Sequence, residues 1–236
     1  MSYSPGQLNH SLHAGIAITK GLVQDLSGVD KFGYNSDVGT SYETIWDGGS
    51  TYAYPSSATT MTATSAASAT DNGVEVTIIG LDSTWNPATA TVTLAGSGTA
   101  TTTQTFIRVF RAYVENGQEP TGNITIGNGG TTYAQITFPY NQTLMAVYTI
   151  PAGHNGYLVS ANISIEKQKE VVAKLMFRPY NSIFTTKGII SSFGVPYQRN
   201  WLIPPLIPAK TDIEIRAKAG ASTGISAGFE IILEKT

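Results

Sequence analysis

No stretch of the 236 residues sustains the 3.6-residue apolar period of a helix. Short runs rich in β-branched and aromatic residues recur instead between glycine and proline turns. Residues 74–80 (VEVTIIG) and 88–94 (ATATVTL) flank a turn-rich connection at 82–87. In 105–114 (TFIRVFRAYV), Phe106, Arg108, Phe110, Ala112 and Val114 fall on one face and Ile107, Val109, Arg111 and Tyr113 on the other, which predicts one long strand buried on both sides for part of its length. Further strands are predicted at 123–126, 134–138, 144–150, 156–166, 171–177, 188–193, 211–217 and 229–234. Their connections include GNGG at 127–130 and PAGHNG at 151–156, where glycine supplies positive φ and proline presets the turn. The expected fold is all-β, a β-sandwich or jelly-roll-like domain over 41–236. Residues 1–40 read as an irregular N-terminal arm, because six glycines interrupt every apolar piece.

Residues 54–73 (YPSSATTMTATSAASATDNG) pose a separate question, since such small-residue composition also suits a linker. Flexible linkers are usually glycine/serine-rich or charged, whereas 59–65 is mostly threonine, a β-branched residue suited to a half-exposed pleated surface. The reading favours a polar strand over 58–66, hairpinned to 74–80 through the turn signal Asp71-Asn72-Gly73.

Charged residues make up only 13% of the chain, about half the ~25% usual in globular domains. Its surface must then be built largely from Thr, Ser, Asn and Gly, which suits a molecule covered by neighbours. The net charge of −2 divides unevenly: residues 1–107 carry two basic and eight acidic groups, and residues 108–236 twelve basic and eight acidic. No Lys/Arg cluster forms, which argues against nucleic-acid binding; the asymmetry suits a solvated mix or complementary packing between halves or subunits. There is no cysteine. No apolar run approaches a membrane span and no signal peptide is evident, so the expectation is a protein that starts in the cytoplasm.

Local signatures of catalysis such as HExxH, GxSxG, a P-loop or GxGxxG do not stand out. His10 and His13 have a spacing that could share a metal but lack further ligands; His154 sits in a turn. Asp30–Asp37 lacks the alternating oxygens of a calcium loop. The expectation is therefore no enzyme, no cofactor and no metal. Aromatic residues are the better contact candidates: Trp46, Tyr52 and Tyr54 surround Asp47-Gly48-Gly49, and Trp85 lies in the turn at 83–87. Exposed and coplanar they would form a sugar platform; packed, they are core at strand ends. A final candidate is WLIPPLIP at 201–208, whose three prolines exclude an inner strand. Trp201, Leu202, Ile203, Leu206 and Ile207 would either dock on a partner or fold back to plug the chain's own sandwich.

Several blocks taken together resemble a family of virion structural proteins of tailed bacteriophages, of the marine and cyanobacterial phage type. They are KFGYNSDVGTSYETIWDGGSTYAYPSS, DNGVEVTIIGLDSTWNPATATVTLAG, FIRVFRAYVENG, NQTLMAVYTIPAGHNGYL and GFEIILEK, covering the chain from about residue 30 to its end. The resemblance implies a component of the virion, with a head-associated decoration or cement role and a neck, tail or carbohydrate (receptor) binding role as the alternative. Its implied partners are a major capsid protein or other virion proteins and further copies of itself, with no nucleic acid and no membrane. It implies no catalytic residue.

Overall fold

The computed structural model describes residues 14–115 and 117–236. After a six-residue helix, α1 (Ala14–Thr19), the described chain is all-β. The first strands are β1 (Leu26–Val38) and the short β2 (Glu43–Thr44). Seven strands then form an insert: β3 (Thr59–Ser65), β4 (Glu75–Leu81), β5 (Pro87–Thr93), β6 (Thr99–Phe106), β7 (Arg108–Val114), β8 (Ile124–Asn128) and β9 (Thr131–Ile136). The remainder comprises β10 (Val147–Thr149), β11 (His154–Ile165), β12 (Glu170–Arg178), β13 (Thr185–Phe193), β14 (Tyr197–Asn200), β15 (Leu206–Ile207), β16 (Asp212–Ala219) and β17 (Thr223–Lys235).

β1 and the strands after the insert form two antiparallel sheets of order β1-β17-β11-β14 and β10-β16-β12-β13, with β15 beside β11 and β2 beside β16. Successive main strands change sheet at every step except the β12–β13 hairpin. That alternation defines a jelly roll, in which two Greek keys fold over each other. The core lies between the sheets, with Leu158, Ile163 and Phe229 facing Val171, Leu175 and Ile215. Alternation in sequence produces it: along β12, Val171, Ala173, Leu175 and Phe177 are buried and the residues between them are not.

The insert is a second sandwich between β2 and β10. Its sheets run β6-β3-β8-β9 and β5-β4-β7, around Met61, Ile78, Phe106, Ile124, Ile126 and Ile136. The outer face of β5 is threonine-rich, as the low charge content leads one to expect: Thr89, Thr91 and Thr93 point to solvent and Ala88, Ala90 and Val92 inward.

Four expectations are modified. The irregular N-terminal stretch is shorter than 1–40, because Leu26–Val38 is a strand paired along its length with β17. Its pattern is inverted: Lys31, Gly33 and Asn35 point inward while Phe32 is 44% exposed, so no apolar alternation marks it. Gly33 is required there, since a Cβ would stand 2.2 Å from the Ile45 carbonyl oxygen and 2.3 Å from the Ala146 nitrogen. Helix α1 is the second departure, too short to show a period.

Third, residues 105–114 are not one strand. The chain breaks at Ile107 and passes from the β3 sheet to the β4 sheet, which is why Phe106, Ile107, Arg108, Val109 and Phe110 are all buried. Fourth, residues 59–65 are a strand, but β3 pairs with β6 and β8 rather than with β4. The intervening turn crosses between sheets around the buried Asp71. The Asp71 carboxylate accepts from Ser65 Oγ at 2.5 Å and from the backbone N and Oγ1 of Thr121 at 2.7 and 2.8 Å. Burial alone would raise the Asp71 pKa, but these bonds and one from Gly122 hold it below the usual value.

Candidate functional site

The jelly roll and the inserted sandwich meet around a buried ionic cluster. Arg108 opens β7, Arg178 closes β12 and Asp212 opens β16, so three strand ends converge. Arg108 Nε and Nη2 donate to Asp212 Oδ1 and Oδ2 at 2.7 and 3.0 Å. Arg178 Nε and Nη2 both donate to Asp212 Oδ2, at 2.9 and 2.6 Å, and Thr149 Oγ1 donates to Oδ1 at 2.7 Å. Arg108 Nη1 also donates to the carbonyls of Pro55 and Ile107. The close approach depends on Gly80: a Cβ there would lie 1.9 Å from the Arg108 carbonyl oxygen. Both Asp212 oxygens are thus committed to the cluster and accept five hydrogen bonds between them.

Aromatic rings enclose the cluster. The Arg108 guanidinium lies 4.6 Å from the Trp85 ring centre and 5.1 Å from that of Tyr54, and Arg178 lies 4.2 Å from Tyr54 and 4.6 Å from Phe184. Beside it, buried Glu214 accepts from Thr44 Oγ1 at 3.0 Å and pairs with Arg216; burial outweighs these contacts and raises its pKa.

A cleft of about 540 Å³ opens from this cluster. Trp85, Tyr180, Arg178, Lys210 and Asp212 contribute to its wall, together with the 54–58 segment. Three of its residues, Trp85 (φ 68°), Asn181 (φ 56°) and Lys210 (φ 59°), hold left-handed backbone. Asparagine tolerates that region; tryptophan and lysine are held there at a cost.

The residues singled out in the sequence divide. Trp46, Tyr52 and Trp85 are buried, and Tyr54 is partly buried. Their rings are not coplanar: Trp46 and Tyr52 meet at 90°, Tyr52 and Tyr54 at 87°. Tyr52 Oη donates to the Val109 carbonyl at 2.8 Å, so this group braces the seam and forms no sugar platform. In 201–208, Ile207 is fully buried and Trp201 packs against the jelly-roll core, while Leu202, Ile203 and Leu206 are 98%, 84% and 55% exposed. The segment thus plugs the sandwich with one set of side chains and presents another to solvent.

His10 and His13 lie outside the described residues. His154, expected in the turn, opens β11 directly after it, with its Nδ1 2.9 Å from the Ala152 carbonyl. Among the described residues no group of three or more histidine, aspartate or glutamate side chains could hold a metal ion, and no helix is long and apolar enough to cross a membrane. The three ion pairs found among them all join groups within residues 108–236, so they do not link the acidic and basic halves. Residues 224–228 spell Gly-x-Ser-x-Gly, a pattern missed in reading the sequence. Ser226 sits in mid-strand on β17, opposite Tyr34 and Ser164, and not at the strand-to-helix turn a nucleophile elbow requires.

The cleft residues Arg178, Tyr180, Lys210 and Asp212 were also missed. They come from separate segments with no local motif; the available signal was Arg108, a charged residue on the same face of the 105–114 pattern as Phe106 and Phe110.

No protein-family model matches the chain, and no curated protein matches it. Among solved structures it aligns with chains from infectious bursal disease virus. Against the Gt strain, identity is 11%, the TM-score 0.23, and coverage 90% of this chain and 73% of that one. The Gx strain gives 8%, 0.23, 88% and 75%. A VP2 subviral particle gives 10%, 0.22, 89% and 72%. At these TM-scores the superpositions carry no argument about what this chain does. The expectation of a tailed-bacteriophage family, with its decoration, cement, neck and tail roles, is corrected: no family model matches the chain, and the chains it aligns with come from infectious bursal disease virus, not from a phage.

Proposed function

We propose that this chain is a structural subunit that assembles with copies of itself, and with other subunits of the same particle, into a protein shell of the viral-capsid type. The observation that carries the reading is the open side of the jelly roll. β13 is an edge strand paired only with β12, and its outward residues Ile189 and Phe193 are 61% and 62% exposed. Val195 and Tyr197 continue the apolar surface into β14, a four-residue edge strand, and Ile183, Leu202 and Ile203 add to the exposed apolar area. An apolar edge with unpaired backbone groups is a template for another strand, and monomeric proteins usually blunt such edges with charge or cover. The opposite side is covered instead: Tyr34 N donates to the Leu144 carbonyl, Ile45 N to Ile215 and Ala146 N to Ile45.

Jelly rolls serve capsids, lectins and cupins alike, so topology alone does not choose among them. The exposed edge and the low surface charge favour assembly. Electron microscopy of the concentrated purified chain tests this. Closed particles of uniform size are expected; a field of separate monomers at every concentration would contradict the proposal.

A further inference from the structure

We infer that the cleft at the seam binds a small organic anion whose charged group is held by Lys210 and Arg178. Its volume, about 540 Å³, lies in the range of small-molecule sites. Arg108, Arg178 and Lys210 line it against the single carboxylate of Asp212, an excess of two positive charges. Asp212 is already engaged by both arginines and Thr149, so it does not neutralise Lys210.

Among the described residues Lys210 forms no ion pair. Its Nζ stands 5.2 Å from the Tyr180 ring centre and 5.9 Å from that of Trp85. The Arg178 side chain remains 26% exposed although it pairs with Asp212. Half-exposed Tyr180 adds an apolar wall, and Ser57 and Ser182 also line the cleft.

The backbone points the same way. Of the six described non-glycine residues with left-handed φ, three line this one cleft. Glycine at 85 or 210 would relieve the strain but remove the ring or the charge. Such strain is characteristic of sites where the position of a side chain matters more than backbone ease. A neutral sugar fits less well: Trp85 is only 9% exposed and Arg108 already lies against its ring.

Calorimetric titration of the full chain with inorganic phosphate, and separately with acetate, tests the inference at constant ionic strength. Saturable binding of at least one probe is expected. Phosphate alone indicates a phosphorylated ligand, acetate alone a carboxylate, and both a site that reads charge. Lys210→Asn keeps a residue suited to left-handed backbone and should weaken binding about tenfold, the worth of one charge-assisted contact. Lys167→Gln, on an exposed turn, should bind as the parent does. In the unmodified chain the bound probe should shift the Trp85 indole N–H resonance and leave that of Trp201 in place. The inference is overturned if neither probe saturates, if Lys210→Asn binds as tightly as the parent, if Lys167→Gln loses as much, or if Trp85 does not respond.

Discussion

Arg108 and Asp212 face each other in a two-pronged ion pair, 2.7 and 3.0 Å, that ties the inserted sandwich to the jelly roll. The side chains are 9% and 3% exposed. A pair this buried gains its geometry at the expense of hydration, and removing one partner strands the other. Asp212→Asn would strand Arg108 and Arg178 together. The expected loss is about 3–5 kcal/mol, a fall of roughly 10 °C in Tm for a chain of this size, measured by circular dichroism. An unchanged Tm would show that the two sandwiches are held by their apolar contacts alone.

Asp71 holds the crossing turn between β3 and β4. Its pKa is lower in the fold than in the unfolded chain, so its stabilisation is present above the ordinary value of 3.8 and fades as pH falls through the folded value. Asp71→Asn should lower stability by about 2 kcal/mol at neutral pH, from the charge-assisted bonds it weakens. In urea titrations the gap between parent and variant should close as the solution is made acidic.

Lys31 is buried beneath β1, and its Nζ donates to the Phe110 carbonyl. Burial, with repulsion from Arg111, lowers its pKa to about 7, while Asp30 and Asp47 oppose the shift. Between pH 7 and the ordinary value of 10.5 the unfolded chain binds a proton that the folded chain does not, so this group makes stability rise with pH across that window. Asp47 acts in the opposite sense at lower pH: burial lifts its pKa to about 7 from 3.8, so its contribution falls as pH rises between those values. Lys31→Met should flatten the alkaline limb of the stability profile and leave the acidic limb in place. Parallel profiles above pH 7 would show that Lys31 stays charged in the fold.

The regular strands were legible because inward and outward positions alternate in residue type. β4, β5 and β12 fall within one residue of the runs read from sequence, and β17 begins six residues before its run. β1 was hidden by its inward lysine, glycine and asparagine, which one neighbouring subdomain makes tolerable: the Lys31 Nζ donates to the Phe110 carbonyl of the insert. The break at Ile107 was invisible because the residues on both sides of it are buried, as they would be along one continuous strand. Strand identity for residues 59–65 followed from threonine, but its partners depended on Asp71 meeting Thr121, fifty residues away. The cleft was out of reach for the same reason, since residues 85, 108, 178 and 210 meet only after both sandwiches have folded.

Sedimentation velocity across a concentration series is the most direct test of assembly through the open edge. The comparison is between the parent chain and a variant carrying Ile189→Lys with Phe193→Lys, both changes on outward positions of β13 that leave the buried core intact. The parent should sediment faster as concentration rises, while the variant keeps the parent's melting temperature and stays a monomer throughout. If parent and variant associate to the same extent, or if the parent remains a monomer at every concentration, the β13–β14 edge is not an assembly surface.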